Sequence, residues 1–498
     1  MNVRRNIKVM LALFCALFVV LSVYLVYTLN AYGTRWFSSP YNTRLNAQKN
    51  SVTAGDILDR NQTKLATTDH NGDRVYIDSR TTRYATAHIV GDNYGQTFGA
   101  ENFFSKYLLG FDQSLFERAG NALAGAENHG SNVVLSIDAA LCAAAYDAMG
   151  GYQGAVVVMN YQTGELLASV STPTFDPKYM ADYLSGKRDM DNSALVNRVN
   201  IGQYTPGSVF KIVTAVAALR YLPNVAERLF VCDGPLAFDA ETGKYLPHVH
   251  IAPEQDIADR GDSQPGMSGD YRVLRDYNDD YHGELNFEAA FAKSCNHVFA
   301  QLAMEVGADR LLRVARELGV GDEFLFGDIV ASAGSFEKAK TDVDLAWSGV
   351  GQYTDQMTPL HMCMIAAGIA NKGVMPEPKV LLDITNRRGE SGYTYTAKTY
   401  RSALSESEAA LLSAYMEKTV ASGTGRSAKI SGVTVAGKTG TAEVSSGSIK
   451  PNAWFVGFVK EKEHPLAICV VLERGGSGGS NAAPVARAVL EKAIARGH

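Results

Sequence analysis

Cysteine is scarce in this chain, with six residues in 498. No C-x-x-C pair occurs, so a disulfide-built scaffold, a zinc ribbon and a thioredoxin-like redox site are all excluded. Positive charge is not in surplus either. Lys and Arg number 47 against 52 Asp and Glu, a formal net charge of −5, which leaves no general basic surface for nucleic acid. Internal repeats are missing as well. What remains is an ordinary globular mixture, 46% hydrophobic and 20% charged, able to bury a large core and too apolar to stay disordered. At about 150 residues per domain, the length suggests roughly three units.

From Val9 to Leu29 the chain carries no charge. A helix of that length spans about 31 Å, against about 30 Å for the hydrocarbon core of a bilayer. Arg4, Arg5 and Lys8 precede it, so the positive-inside bias keeps the N-terminus cytoplasmic and exports the chain beyond Asn30. A cleaved signal peptide has a shorter apolar stretch ending on small residues, and Leu29-Asn30-Ala31-Tyr32 is a poor match. A retained single-pass anchor is expected. Cys15 then lies in the membrane, with Cys142, Cys232, Cys295, Cys363 and Cys469 outside. An odd number cannot all pair within one chain, so these are read as buried small hydrophobes.

Residues 31–130 are polar and rich in turns, with strand-like pieces at Ser51–Thr53 and Arg74–Ile77, and read as an irregular, mostly β module. A boundary is expected near Asn128–Ser131. Asp138 can cap a helix that runs to Met149 and stops at Gly150-Gly151. A hairpin comes next, Ala155–Val158 and Leu166–Val170, with Gly164 supplying positive φ in its turn. Late in the chain Val433–Val435, Ala453–Val459 and Leu466–Leu472 are strand-like. The last two are apolar at nearly every position, as in strands covered on both faces. A Gly/Ser stretch from Gly475 to Ser480 leads into a helix over Ala482–Ala495, and helical segments such as Ser405–Val420 fill the middle. Two early and three late strands suggest one antiparallel sheet built from both ends of a domain. Asp256–His282, rich in Asp, Gly and Tyr, reads as a solvated insertion.

Chemistry is concentrated in three short segments. Pro206-Gly207 opens a helix near Ser208 that is apolar on nearly every side from Val209 to Leu219. Ser208, Lys211 and Thr214 recur every third residue and form one stripe. Lysine is almost never fully buried without a partner, and desolvation favours its neutral form. A neutral amine one turn from a hydroxyl is a general base for it, although a lysine that snorkels or pairs with an acid has the same spacing. Ser294-Cys295-Asn296 lies between helix-like segments, and Gly437-Lys438-Thr439-Gly440-Thr441 continues a strand. Each is weak alone. Together, in the order S-x-x-K, S-x-N, K-T-G, they make the triple signature shared by penicillin-binding proteins and class A β-lactamases.

With those triplets the chain resembles a class B penicillin-binding protein of the compact penicillin-binding protein A type. Gly55-Asp56-Ile57-Leu58-Asp59-Arg60-Asn61 resembles that family's R-G-x-I-x-D-R-N-G box, departing at Ala54 and Gln62, where Arg and Gly stand in the family. Thr163-Gly164-Glu165, Phe175-Asp176-Pro177, Gly351 with Thr358-Pro359-Leu360, Asn371-Lys372-Gly373, Gly423-Thr424-Gly425 and Trp454-Phe455-Val456-Gly457 match other family stretches. The resemblance implies an α+β fold, with a five-stranded antiparallel sheet flanked by helices. It divides the chain into a tail (1–8), an anchor (9–29), a pedestal or dimerisation-type module (30–130) and a transpeptidase domain (131–498).

By the same resemblance Ser208 is the nucleophile on a D-Ala–D-Ala stem peptide and Lys211 its base. The oxyanion is held by the N–H groups of Ser208 and Thr441. Ser294 relays a proton, Asn296 holds a peptide amide, and Lys438 makes the cleft electropositive. Thr439, Gly440 and Thr441 bind the terminal carboxylate or that of a β-lactam. A SEDS-type glycan polymerase is the implied membrane partner, and no cofactor or metal is expected.

Other residues are set aside. Cys295 stands at the variable middle position of S-x-N and is not taken as a nucleophile. The spacing of His248, His250 and His282 fits no zinc template, and the family resemblance makes His282-Gly283 a structural turn. Glu443 is read as solvated or ion-paired. A β-lactamase needs a group to activate its deacylating water, and the E-x-x-x-N element of class A enzymes is missing between Asn296 and Lys438. A D,D-carboxypeptidase shares every catalytic residue, and a non-catalytic scaffold is disfavoured by the intact triplets.

Overall fold

The computed structural model describes residues 3–37, 52–113, 129–249, 267–268, 271–277, 281–386, 388–444 and 449–498. Ser51, Asn128, His250 and most of Asp256–His282 lie outside the described residues. The expected anchor sits within one helix, Val3–Phe37. Its Arg4–Leu29 portion is long and apolar enough to cross a membrane, and the rest of the chain does not bury that apolar window.

The central sheet has five antiparallel strands in the order Val435–Ala442, Asn452–Val459, Leu466–Leu472, Gly154–Asn160, Leu166–Thr172. Late strands thus pair with early ones, as the sequence suggested. Every residue of Asn452–Val459 and Leu466–Leu472 is buried, which explains why neither alternates polar with apolar. Helix Pro359–Ala370, apolar on all sides and almost wholly buried, packs on the three strands at the centre. Helices Ala139–Ala148 and Ala483–Ala495 pack on each other and on the sheet. Asp138 caps the first through the N–H groups of Ala140 and Leu141. Val435–Ala442 is an edge strand, and helix Glu406–Ala421 packs beside it.

A second sheet joins distant parts of the chain. Its six strands run in the order Ser391–Thr394, Leu381–Thr385, Asn132–Leu135, Ile57–Leu58, Lys64–Thr68, Arg74–Tyr76. It therefore draws strands from both sides of residue 130. The Gly55–Asn61 box is fastened through Asp59, whose carboxylate accepts from the N–H groups of Asn61, Thr63 and Ala139 at 2.8–3.0 Å. Gln62, where the family has Gly, takes a positive φ of 64°. Helix Arg80–Val90, which the sequence pattern does not separate from its polar surroundings, is capped by Ser79 and packs on helix Ala139–Ala148 and strand Leu166–Thr172. All six cysteines are free, and the five beyond the first helix are buried.

Candidate active site

The serine turn is held by glycines. Gly207, at φ 54°, donates its N–H to Gly351 O at 2.8 Å, and Gly351 has φ 78°. A Cβ on Gly351 would stand 2.2 Å from Gly207 O, and one on Gly207 would stand 3.0 Å from Ala442 Cα. Only glycine lets the turn lie this close to the edge strand. Trp454 Nε1 donates to Thr205 O at 3.2 Å and fixes the approach. Ser208 sits in a short 3₁₀ turn, Gly207–Phe210, and Lys211 begins the α-helix Lys211–Tyr221. Ser208 is half-buried, and among the described residues its hydroxyl makes no hydrogen bond.

Lys211 is fully buried, and its amine reaches across to the second triplet. Nζ donates to Ser294 O at 2.5 Å and Asn296 Oδ1 at 2.6 Å, and lies 3.3 Å from Ser294 Oγ. Ser294 ends helix Phe287–Lys293 in the left-handed conformation, φ 61°, which a non-glycine residue adopts at a cost of roughly 1–3 kcal/mol. That kink turns its hydroxyl toward the lysines. Lys438, also fully buried, donates to the same hydroxyl at 2.7 Å and to Thr439 O at 3.0 Å. Beside it Thr439 Oγ1 pairs with Thr424 Oγ1 at 2.6 Å, and Thr441 Oγ1 accepts from Gly478 N at 3.3 Å. Gly440 packs close to Pro206 O and Val209, so the third triplet lies against the serine turn. Ser208, Lys211, Ser294, Asn296, Lys438, Thr439, Gly440 and Thr441 thus meet in one place.

Two buried amines sharing one hydroxyl cannot both stay charged cheaply. Burial lowers the Lys211 pKa to about 8, against an opposing pull from Asp276. Burial, then repulsion from Lys211, pushes Lys438 well below its ordinary value. The faces of Phe299 and Phe291 lie 5.5 Å and 5.7 Å from the two amines and leave each some favourable contact when charged. The Lys211 amine, the Ser294 hydroxyl and the Lys438 amine form one continuous chain of polar contacts.

Three features are not legible in the sequence. Thr424, part of Gly423-Thr424-Gly425, braces Thr439. Asp276 accepts the Asn296 N–H, while Asn296 Nδ2 donates to Arg275 O at 2.7 Å. Cys232, Asp276, His282 and Cys295 form a cluster directly behind S-x-N. His248, by contrast, is exposed and apart from that cluster, and Glu443 is exposed.

Residues 154–221 and 246–491 match the family described as penicillin binding protein transpeptidase domain. The chain is 28% identical over 494 residues to the peptidoglycan D,D-transpeptidase PbpA of Mycolicibacterium smegmatis, covering 92% of this chain and 93% of the relative. It is 30% identical over 376 residues to PbpA of Mycobacterium tuberculosis, covering 70% of each. The ceftriaxone acyl-enzyme of penicillin-binding protein A from M. tuberculosis superposes with a TM-score of 0.76 at 27% identity, over 90% of this chain and all of that one. The D,D-transpeptidase domain of a peptidoglycan glycosyltransferase from Eggerthella lenta gives 0.73 at 27% identity, over 90% and 99%.

Proposed function

The chain belongs to the penicillin-binding protein transpeptidase family, as a class B member of the PbpA type, and from that premise we propose how its cleft works. The protein is a serine-type peptidoglycan D,D-transpeptidase that β-lactams also acylate. Ser208 Oγ attacks the carbonyl of the penultimate D-Ala, and its proton passes to neutral Lys211. The N–H groups of Ser208 and Thr441 receive the oxyanion, each worth about 3–4 kcal/mol in the transition state. As the tetrahedral species collapses, the C–N bond breaks. The terminal D-Ala leaves with a proton passed from Lys211 through Ser294.

Asn296 holds the donor peptide's amide. Lys438 and the hydroxyls of Thr439 and Thr441 hold the terminal carboxylate, and Gly440 keeps the strand open between them. The amine of a second stem peptide then attacks the ester, gives up its proton along the same path and releases Ser208 as the crosslink forms. In a β-lactam the broken amide stays tethered, so the leaving amine shields the ester from an acceptor.

The observation that carries this reading is the position of Ser294 Oγ, 2.7 Å from Lys438 Nζ and 3.3 Å from Lys211 Nζ, where three sequence-distant segments share one hydroxyl. Labelling with a fluorescent penicillin tests it. The parent should form a long-lived covalent adduct and Ser208→Ala none. Labelled Ser208→Ala would move the nucleophile elsewhere, and rapid loss of label from the parent would make it a hydrolase.

The proposal extends to topology. Residues 1–8 are cytoplasmic, 9–29 span the membrane, 30–130 stand between membrane and catalytic domain, and 131–498 act outside the cell. The uncharged stretch 9–29 of the long N-terminal helix, preceded by Arg4, Arg5 and Lys8, supports this arrangement. Helix and module together would seat a SEDS-type polymerase. Mild-detergent extraction should recover that enzyme with the full chain, and its absence from the extract would remove the partner.

A further inference from the structure

Helix Ala308–Glu317 turns Leu311, Val314 and Ala315 into the core, so Arg310, Arg313 and Arg316, spaced three apart, share its outer face. Arg310 lies over the ring of Tyr221 at 5.2 Å. The other two border an open cavity of about 510 Å³ that Asp309, Glu317, Asp322 and Arg401 also line. Each of those acids is already neutralised. Asp309 pairs with Lys338 at 2.7 Å, Glu317 with Arg220 at 2.5 Å and Asp322 with Arg401 at 2.6 Å. Arg401 also donates to the carbonyls of Arg316 and Glu317 at the helix end. Among the described residues the guanidinium groups of Arg313 and Arg316 make neither an ion pair nor a hydrogen bond, so the cavity keeps two uncompensated positive charges.

Under the topology proposed above, on which this step rests, the same corner meets the membrane. Tyr32, three residues past Leu29, donates its hydroxyl to Glu323 Oε1 and Oε2, both at 3.1 Å, and Glu323 follows Asp322 of the cavity wall. At about 1.5 Å per residue Tyr32 stands about 4.5 Å beyond the apolar stretch, inside a headgroup layer about 5–7.5 Å deep. Tyr32 and Trp36, stacked with ring centres 6.0 Å apart, are the aromatics that favour this level. We infer that Arg313 and Arg316 seat the phosphate of an anionic phospholipid headgroup from the outer leaflet, beside the anchor of the same chain. A guanidinium fork matches phosphate oxygens better than a point charge does, and the bilayer holds such phosphates at the height of the cavity. Helix Ala308–Glu317 packs on helix Lys211–Tyr221, so the seat ties the element that carries Lys211 to the membrane surface.

Full-length chain in nanodiscs of phosphatidylglycerol and phosphatidylcholine in equal parts tests this by the lipid retained in native mass spectrometry. Phosphatidylglycerol should be retained in preference. Arg313→Gln and Arg316→Gln should each cut that preference about fivefold and leave penicillin labelling unchanged. Arg4, Arg5 and Lys8 are present in every variant, so the drop belongs to the cavity. Hydrogen exchange in helix Ala308–Glu317 should be slower in discs that contain phosphatidylglycerol than in pure phosphatidylcholine, a readout that needs no variant. Equal retention of the two lipids by the parent overturns the inference, as does a preference that survives both substitutions together. Slowing of that exchange by millimolar inorganic phosphate in phosphatidylcholine discs also overturns it, by assigning the cavity to a soluble anion. Co-elution of chain and disc reports the anchor, and penicillin labelling reports the cleft, so loss of the lipid seat is distinguishable from failure of either.

Discussion

Lys211 has two short acceptors fixed on it, Ser294 O and Asn296 Oδ1, and a neutral amine has just two N–H bonds to give them. Its one lone pair is then free to take the Ser208 proton. A charged amine has no lone pair, so the base exists only when deprotonated. With a pKa near 8, set by burial against the pull of Asp276, about a tenth of the amine is neutral at pH 7 and about nine-tenths at pH 9. Penicillin acylation should therefore quicken about tenfold between those values and level off above, measured as a second-order rate constant across pH. Lys211→Arg, charged throughout, should lose about 10²–10⁴ of that rate together with the pH step. A step that persists in Lys211→Arg would assign the titration to Lys438, whose amine faces the same hydroxyl.

Elements that announce themselves locally were legible. The hairpin around Gly164, with φ 81°, the fully apolar strands Asn452–Val459 and Leu466–Leu472, and the S-x-x-K turn all carry their signal within a few residues. Helix Arg80–Val90 was not, because four of its residues are Thr or Val and weaken the helical signal; its cap Ser79 was the clue available. Pairing across the chain was equally silent. Strand Leu381–Thr385 lies beside Asn132–Leu135, and periodicity in either says nothing of the other. The cysteine cluster was hidden for the same reason. Its residues are 44 apart between Cys232 and Asp276 and 19 between Asp276 and Cys295, on separate elements, with no local template. Reading each cysteine as a small hydrophobe was sound about burial and blind to its neighbours. The residues proposed as catalytic came from three known triplets; the glycines that press them together, Gly207 and Gly351, carry no local sign of that role.

At the scale of the molecule, residues 57–76 are built into one sheet with later strands rather than strung before them. The six-stranded sheet takes strands from residues 57–76, 132–135 and 381–394. Arg83, on helix Arg80–Val90, forks onto Asp176 at the exit of the first hairpin with bonds of 2.9 Å and 3.0 Å, both side chains buried. Its remaining amino group donates to Ile77 O and Asp78 O. A buried pair of this kind gains little over an apolar replacement, but breaking it strands a charge. Removing one partner costs about 3–5 kcal/mol. Arg83→Ala should thus lower stability to urea by about that amount, and the joint sheet requires the loss to appear as a shift of one cooperative transition. Penicillin labelling should fall in step with the folded fraction. An Arg83→Ala chain that unfolds in two steps, the later one unshifted and still labelled, would mean that the catalytic domain stands without the module. Arg83→Met with Asp176→Leu separates charge from shape, since an apolar pair of similar size should recover most of the loss if stranded charge is its cause.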